Sequence, residues 1–535
     1  MTGTWLRALL TPTSTAFLAA AIISLVDATL VVFGLAGAGG AFQFVPARIW
    51  IVAPLTWIVL AVLTLPLARV LSRRYAGETT AAALALALLT VRLRHHPLVL
   101  AAAIPLAALA TWLLWRPVHR WRPRVQPVAT GVLLVALVLG GLAAFRRPAD
   151  VRADARATAE DPNVILIFLD TVRYDAVFDG DGDVHPDLPT LARLRRGSTV
   201  FTRAYATSPW TLPSHLSAVT GLPPHELGVG FDSQVYGGSQ ETLAERYRRR
   251  GYRTAAVISN TFLNAGSGFA RGFEHFEQAQ FALDLCRTAP GVVLESYSDW
   301  FAATVCNWSA GTVTARAMTL MADDDRPLFL TLNYMDAHDP YYVERACGGG
   351  RGYREAIRCI DRHLASIVDR PSRRPTTVAI VSDHGEQFGE HGLVRHGNSL
   401  AVQLLHVPLM IRWAQDGPHP RVVTQAVSIT ALPGLLERGD AASLPEGPAV
   451  ALLYPPAAQR MPASWAALDG VWQLIVREDG AESLFHLRED PAGERDVIAA
   501  HGTSPAVARL RSAIDAMRRA PRPDVRRFRS LGYIH

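Results

Sequence analysis

The sequence NVILIFL at Asn163–Leu169, followed directly by Asp170, is the strongest indication of the fold class. A nearly continuous apolar run of this length is typical of a strand that is buried on both faces of a mostly parallel sheet. The runs LFLTLNYM at 328–335, TVAIVS at 377–382 and TAAVI at 254–258 have the same character. Helical patterns separate these runs, so the sequence predicts an α/β sandwich.

Polar residues follow three of these runs at the point where each strand should end. They are Asp170, Asp336 with His338, and Asp383 with His384. In such sheets, ligands gather outside the carboxyl ends of the strands. One Asp after a strand is often only a helix cap or a turn residue. Three strand ends that deliver metal-ligating residue types predict a metal site.

A candidate nucleophile lies in the stretch SPWTLPSHLSAVTG around Thr211. Pro213 and the apolar pattern after it predict a helix that begins near Thr211, where free backbone N–H groups favour an anion. A hydroxyl becomes a useful nucleophile at neutral pH only beside a base or a metal. Asp170, Asp383 and His384 would complete a four-ligand metal site with the Thr211 oxygen; without them, Thr211 would be an ordinary helix cap.

The first 150 residues carry the excess positive charge and the longest apolar runs. They contain thirteen Arg against three acidic residues, a balance of +10, so the rest of the chain sums to −4 within the total of +6. With no basic stripe on the folded part, a nucleic-acid partner is not indicated. A bilayer crossing takes about 20 apolar residues. Five segments are candidate spans, of which the third is short enough to be interfacial: 15–36, 49–71, 79–91, 98–115 and 127–145.

The arginines after the second and fourth segments predict that those loops face the cytoplasm. The chain is then a multi-pass protein of the cell (inner) membrane whose catalytic domain is extracytoplasmic. All four cysteines lie in the globular part, as expected of two disulfides in an oxidising compartment. Three pairings are possible, and short loops favour Cys286–Cys306 and Cys347–Cys359.

These patterns divide the chain into four parts. A transmembrane region of several helices, nominally five, at 1–147 precedes a linker at 148–162 and a catalytic domain at 163–440. A smaller C-terminal subdomain follows at 441–535, with strand patterns at Ala449–Leu453, Trp472–Arg477 and 483–487 and an amphipathic helix at 506–517.

Several motifs occur in the order and approximate spacing seen in the sulfatase family of the alkaline phosphatase superfamily. They are NVILIFLDTVRYD at 163–175, TLPSHLSAVTG at 211–221, MDAHDPYY at 335–342, SDHGEQFGEHG at 382–392, HVPLMIR at 406–412 and SLFHLREDPAGERDV at 483–497. The chain resembles this family from about residue 161 to the end. The resemblance implies an alkaline-phosphatase-like α/β/α sandwich with a small C-terminal subdomain. It also implies that Asp170, Asp383 and His384 bind a metal, that Thr211 holds the nucleophile position, and that His338 contacts substrate.

The chain departs from sulfatases at the residues that act on sulfate. Sulfatases oxidise a Cys or Ser to formylglycine in a C/S-x-P-S-R motif, whereas this chain has Thr211 at the first position and His215 in place of the Arg. Thr cannot give that aldehyde. Thr171 replaces the second Asp of the family's Asp-Asp pair, and the chain has none of the lysines that sulfatases place on the sulfate. These departures speak against ordinary sulfate-ester hydrolysis.

Phosphoethanolamine transferases and lipoteichoic acid synthases, another branch of the superfamily, are similar in other ways. They have several transmembrane helices, a Thr nucleophile and an extracytoplasmic catalytic domain. Their first metal ligand is followed by Thr, as Asp170 is followed by Thr171 here. A further active-site His follows their Asp-His pair, and His396 lies thirteen residues after Asp383. The C-terminal motifs nevertheless remain those of sulfatases.

The remaining site candidates are His396, His391, His215 and Arg173. His396 and His391 are general acids, second-metal ligands or surface residues. His215 and Arg173 are candidate substrate contacts, and Arg173 should also pair with Asp175.

The predicted reaction is metal-assisted substitution at phosphorus. The Thr211 oxygen attacks, and His338 or His396 protonates the leaving oxygen. Water then completes a hydrolysis, or a lipid or glycan hydroxyl completes a transfer. An imidazole with carboxylates suits Zn²⁺ or Mn²⁺ better than Ca²⁺, which stays possible.

The predicted partners are the membrane lipid bilayer and a lipid- or glycan-linked phosphate or sulfate ester. Two rival functions stay open. One is a strict sulfatase on sulfated glycans or lipids, and the other is a catalytically silent membrane protein that keeps the fold for binding or sensing.

Overall fold

A computed structural model describes residues 157–278, 308–414, 422–455 and 461–519, apart from the single positions 159, 181, 232, 323 and 442. The five candidate spans, Cys286 and Cys306 lie outside these residues. Within the described part of the chain, no helix is both long enough and apolar enough to cross a bilayer.

Strands and helices alternate along the catalytic part of the chain. The strands are β1 (Asn163–Leu169), β2 (Thr199–Phe201), β3 (Ala204–Tyr205), β4 (Arg253–Ile258), β5 (His275–Gln278), β6 (Leu328–Tyr334), β7 (Thr376–Val381), β8 (Gln387–Phe388), β9 (Val394–Arg395), β10 (His406–Val407), β11 (Leu409–Arg412), β12 (Val422–Val423), β13 (Val427–Ser428), β14 (Ala449–Leu453), β15 (Ser464–Leu468), β16 (Trp472–Arg477) and β17 (Glu482–His486). The helices are α1 (Pro189–Arg196), α2 (Thr211–Thr220), α3 (Pro224–Leu227), α4 (Leu243–Arg249), α5 (Ala310–Leu320), α6 (Tyr353–Val368), α7 (Val402–Leu405), α8 (Leu432–Arg438), α9 (Ile498–His501) and α10 (Pro505–Arg519).

The central sheet has the strand order β12-β2-β11-β7-β1-β6-β4-β5. Its middle strands β7, β1, β6 and β4 run parallel to one another, as their apolar sequences predict. β11 runs antiparallel to both β7 and β2, so the sheet is mixed. The carboxyl ends of the four parallel strands therefore lie along one edge, where the candidate ligands follow them.

The alternation of side chains along β1 explains why the sheet is covered on both faces. Ile165 and Ile167 pack into one apolar core with residues of α1, α5 and α6. Leu166 and Phe168 point to the other face and pack with residues of α2, α4 and α8. Because successive side chains of a strand face opposite ways, a continuous apolar run needs two cores. The predicted α/β/α sandwich is confirmed for the described residues.

The C-terminal part forms a separate antiparallel sheet in the order β14-β15-β16-β17. The amphipathic helix α10 covers it through Val507, Leu510, Ile514 and Met517, which are all buried against strand residues. The strand and helix patterns predicted here are confirmed, whereas the domain boundaries remain predictions.

One predicted disulfide falls within the described residues. Cys347, in the 3-10 turn Arg345–Cys347, is bonded to Cys359 of α6, as predicted. The bond joins the segment after β6 to the helix that packs on the sheet.

Candidate active site

Asp170, Asp383 and His384 converge at the carboxyl edge of the sheet, and their side chains have no exposed surface. His384 Nε2 lies 3.3 Å from Asp383 Oδ2 and 4.0 Å from Asp170 Oδ1. Ligands held about 2.1 Å from one tetrahedral ion would be spaced by about 3.4 Å. Three predicted ligands thus come together at a spacing that suits a single cation.

The hydrogen bonds of these residues do not engage the atoms that would bind a cation. Among the described residues, Asp170 Oδ1 and Asp383 Oδ2 are buried and accept no hydrogen bond, although His215 Nδ1 lies 3.2 Å from Asp383 Oδ2. Such burial is costly for a carboxylate unless a positive charge faces it. His384 donates from Nδ1 to the carbonyl oxygen of Gly385 at 2.9 Å, so its Nε2 lone pair is free. Burial lowers the pKa of His384 well below its ordinary value, which keeps the ring neutral as a ligand must be. Two carboxylates and an imidazole fit Zn²⁺ or Mn²⁺ better than an all-oxygen Ca²⁺ site.

Thr211 is the first residue of α2, as Pro213 predicts, and is 2% exposed. Its Oγ1 lies 3.5 Å from His384 Nε2, so the hydroxyl adjoins the three ligands. Ser214, one turn along the helix, donates to the carbonyl oxygen of Asp383 and ties α2 to the end of β7. The predicted nucleophile and the predicted ligands therefore share one site.

Gly385 is packed so closely that no side chain fits. Its N–H donates to the Leu404 carbonyl oxygen at 2.9 Å, while its own carbonyl accepts from His384. A Cβ at this position would lie 1.9 Å from the carbonyl oxygen of Gln403. Close approach of the two backbones thus orients His384.

Thr171 has a left-handed backbone, with φ of 61°, which is unfavourable for a β-branched residue. Its N–H donates to Asp383 Oδ1 at 3.3 Å, and its hydroxyl lies 2.8 Å from the Ala337 carbonyl oxygen. Tyr353 donates to the Thr171 carbonyl at 2.9 Å. This unusual conformation turns a backbone donor toward a metal ligand.

His338 and His396 lie on the same side of the site as His384. The His396 ring centroid is 4.6 Å from that of His384 and 4.8 Å from that of His338. His396 Nδ1 lies 2.9 Å from Oε1 of Glu386, a carboxylate with no exposed surface. Tyr341 donates to the other oxygen of Glu386 at 3.3 Å. The structure therefore places both predicted general-acid candidates beside the metal ligands.

The two candidate substrate contacts are already engaged by protein groups. His215 is fully buried, donates from Nδ1 to the Thr211 carbonyl at 3.0 Å, and has Nε2 3.5 Å from Asn333. Arg173 forms ion pairs with Asp175 at 2.7 Å, as predicted, and with Glu390 at 2.6 Å. A role in substrate binding remains a prediction for both residues.

Asp336 does not join the site, although the sequence groups it with the other strand-end residues. Its Oδ1 accepts from the N–H of Ala310 at 2.9 Å, at the start of α5. Asp336 is thus a helix-capping residue, which is the alternative function of an Asp after a strand.

Two asparagines of the site were not predicted from the sequence. Asn260 follows β4 and donates to Asp170 Oδ2 at 2.8 Å and to Thr211 Oγ1 at 3.2 Å. Asn333, within β6, lies 3.3 Å from the same oxygen of Asp170. The position of Asn260 just past a predicted strand is a signal that could have identified it.

A second group of metal-ligating residue types lies away from this site. Glu344 and His363 contact each other beside Cys347 and Cys359. Because the two sulfurs are joined in the disulfide, they are not available as thiolate ligands.

The sequence matches the model of the family described as Sulfatase over residues 162–439, just over half of the chain. Choline-sulfatase of Rhizobium meliloti (strain 1021) is 23% identical over 331 residues, covering 48% of this chain and 63% of that protein. A sulfatase of Formosa agariphila is 22% identical over 325 residues, covering 45% and 62%. The chain thus spans somewhat less than two thirds of the length of these relatives.

The fold is similar to that of solved structures. The crystal structure of the phosphonate monoester hydrolase of Agrobacterium radiobacter aligns with a TM-score of 0.53 at 17% identity. The alignment covers 67% of this chain and 95% of that one.

Proposed function

Because the chain belongs to the sulfatase family, we propose that it is a metal-dependent enzyme that cleaves or transfers phosphate esters through Thr211. The observation that carries the proposal is the position of Thr211 Oγ1, 3.5 Å from His384 Nε2 and beside two buried carboxylates. Each carboxylate has one oxygen that accepts no hydrogen bond among the described residues. The enzyme is anchored in the cell membrane with its catalytic domain outside the cytoplasm, a setting supported by the apolar segments and arginine loops within 1–147. Its substrate is a lipid- or glycan-linked phosphate ester.

Asp170, Asp383, His384 and Thr211 would hold the divalent cation. When bound, the cation lowers the pKa of a coordinated hydroxyl and offsets charge on phosphoryl oxygens. Thr211 Oγ1 gives its proton to solvent and attacks phosphorus, forming the new O–P bond of a phosphothreonine. The bond to the leaving oxygen breaks, and that oxygen takes a proton from His396 or His338. A second attack, by water or by a lipid or glycan hydroxyl, then releases Thr211.

Sulfate-ester hydrolysis is the second candidate, because both curated relatives are named as sulfatases. The chain's own residues favour phosphorus. Thr211 stands where a sulfatase needs a Cys or Ser, and no Lys occurs in the sequence to meet a sulfate.

The test compares a phosphodiester and a sulfate ester of the same nitrophenol. We expect phosphodiester cleavage to be faster, to disappear in Thr211→Ala and to survive in part in Thr211→Ser, which keeps the oxygen. Ser217→Ala is the matched control, because it removes from the same helix a buried hydroxyl that makes no hydrogen bond within the described residues. Faster sulfate cleavage, or full activity in Thr211→Ala, would mean a different chemistry.

A further inference from the structure

The Asn260 carboxamide is held in one orientation by its neighbours. Asn260 is 1% exposed, and its Oδ1 accepts from the N–H of Phe262 at 2.9 Å. Its own backbone N–H donates to Asn333 Oδ1 at 2.9 Å, which anchors the end of β4 to β6. Because the Oδ1 position is taken by a donor, the amide nitrogen must occupy the opposite side. The nitrogen therefore faces the active site.

Both protons of that nitrogen have an acceptor in the site. One N–H points to Asp170 Oδ2 at 2.8 Å, and the other points to Thr211 Oγ1 at 3.2 Å. The first bond occupies one oxygen of Asp170, while Oδ1 of the same carboxylate accepts no hydrogen bond from the part of the chain that the structure describes. The second bond ends on the atom that the proposed reaction uses as its nucleophile.

We infer that Asn260 is a further catalytic residue, which donates a hydrogen bond to Thr211 Oγ1 and stabilises that oxygen as it becomes negatively charged. This inference rests on the proposed function of Thr211. The donor is already in place before the attack, so it needs no rearrangement when charge develops in a buried site. The same bond assists the second step, in which the Thr211 oxygen is the leaving atom and carries the charge again.

The carboxamide is well suited to this position because it is neutral. Two carboxylates and a threonine oxygen already need the positive charge of a single cation. An amide adds a directed donor without competing with that cation for its ligands. The bond to Asp170 could also orient the ligand, so an effect through the metal has to be separated from an effect on Thr211.

The test measures the reactivity of Thr211 without requiring turnover of any substrate. A fluorophosphonate is added to the full chain in detergent at saturating Zn²⁺, and phosphonylated Thr211 is followed by peptide mass spectrometry. In this reaction an O–P bond forms, the P–F bond breaks, and fluoride and the threonine proton go to solvent. The variants are Asn260→Ala and Asn260→Asp, the second of which keeps an acceptor for Phe262 but loses the donors.

We expect both substitutions to slow labelling on the order of a hundredfold, which is the usual loss for one such donor. Asn264→Ala is the matched control on the same loop, because within the described residues the Asn264 side chain bonds only to Thr261, Gly266 and Ser267 of that loop. It should label within about threefold of the wild-type rate.

Labelling of Asn260→Asp and Asn260→Ala at the wild-type rate would overturn the inference. So would a loss that disappears as Zn²⁺ is raised, since Asn260 would then act only through Asp170. If the wild-type chain labels at Thr211 but cleaves neither ester, the proposed function fails while the labelling ratio still decides the role of Asn260. If the wild-type chain is labelled no faster than the background measured with Thr211→Ala, both the inference and the proposed function are overturned.

Discussion

At the scale of single residues, the hydrogen bond between the partly buried His396 and the buried carboxylate of Glu386 fixes the orientation of the candidate proton donor. Glu386 faces Nδ1, so Nε2 is the ring atom left for a leaving oxygen. Burial acts to lower the pKa of His396, but the hydrogen bond and charge of Glu386 raise it above its ordinary value overall. The contact with Glu386 therefore favours the protonated form of His396.

We expect His396→Asn to slow the cleavage of esters with basic leaving oxygens far more than the cleavage of nitrophenyl esters. A basic oxygen needs a proton as it departs, and a positioned general acid contributes about 10²–10⁴-fold in such cases. The dependence of kcat/KM on leaving-group pKa should therefore steepen. His391→Asn is the matched control, since His391 is exposed on the neighbouring turn. An unchanged dependence in His396→Asn would assign protonation to another group.

The candidate metal ligands could be predicted from sequence more readily than the amides around them. Asp170, Asp383 and His384 stand directly after apolar runs, and their side chains have few uses there besides capping and metal binding. Asn260 gives a weaker signal, because it follows a predicted strand but an amide acquires a role only from its partners. Its partner Asp170 is 90 positions away in the chain, and only the sheet brings the two together.

At the scale of elements, Asp336 connects the end of β6 to the start of α5 through a carboxyl group that is unfavourable when charged. Burial raises the pKa of Asp336 to about 7, although the N–H of Ala310 acts in the opposite direction. Its Oδ2 has no hydrogen-bond partner among the described residues. The folded chain therefore favours the protonated carboxyl group.

Asp336→Asn should make the domain more stable relative to wild type as pH rises. In the unfolded chain the carboxyl group ionises near about pH 3.9, so from there to about 7 the folded state binds the extra proton. Wild-type stability from this group consequently falls across that window and stays low above it. An Asn keeps the acceptor for Ala310 and does not ionise.

The measurement is the Tm of both proteins between pH 4 and pH 8. The advantage of Asp336→Asn should be smallest at pH 4, where Asp336 is protonated in the folded state and about half protonated in the unfolded chain, and should level off above about pH 7. A Tm difference that is constant across this range would show that Asp336 does not hold its proton.

The long elements were predictable and the short ones were not. β1 and β14 have the bounds that their apolar runs predict, because burial on one or both faces dictates such sequences. Strands of two to four residues such as β2, β11 and β12 are too short for a period to emerge. The antiparallel direction of β11 in particular is determined by tertiary pairing with Val378–Val381 of β7.

At the scale of the whole molecule, metal binding should stabilise the folded chain. Asp170 and Asp383 each have a carboxylate oxygen that accepts no hydrogen bond among the described residues, and their negative charges should repel each other without a cation. Chelation should therefore lower the Tm and abolish activity. Zn²⁺ at a hundred times its Kd should increase the free energy of unfolding of the metal-free protein by about 2.7 kcal/mol. Metal content and Tm are measured together.

Asp383→Asn should show a smaller increase in Tm on addition of Zn²⁺ than the wild type, and lower activity. An increase in Tm equal to that of the wild type would mean that the cation binds elsewhere.

The membrane topology remains a prediction that can be tested on the full chain. A phosphatase reporter fused after Arg156 should be active, because the arginine loops at 73–74 and 116–124 place the following domain outside the cytoplasm. A fluorescent cytoplasmic reporter at the same point should stay dark. The reverse pair of results would invert the topology.

Gly385 has a consequence for how this sequence can change over generations. The position is restricted by space, since even a methyl group would collide with the Gln403 carbonyl oxygen. A saturation library at residue 385 that is selected for activity should return glycine alone. We therefore expect position 385 to remain glycine in descendants of this protein, while loops and surface charges change.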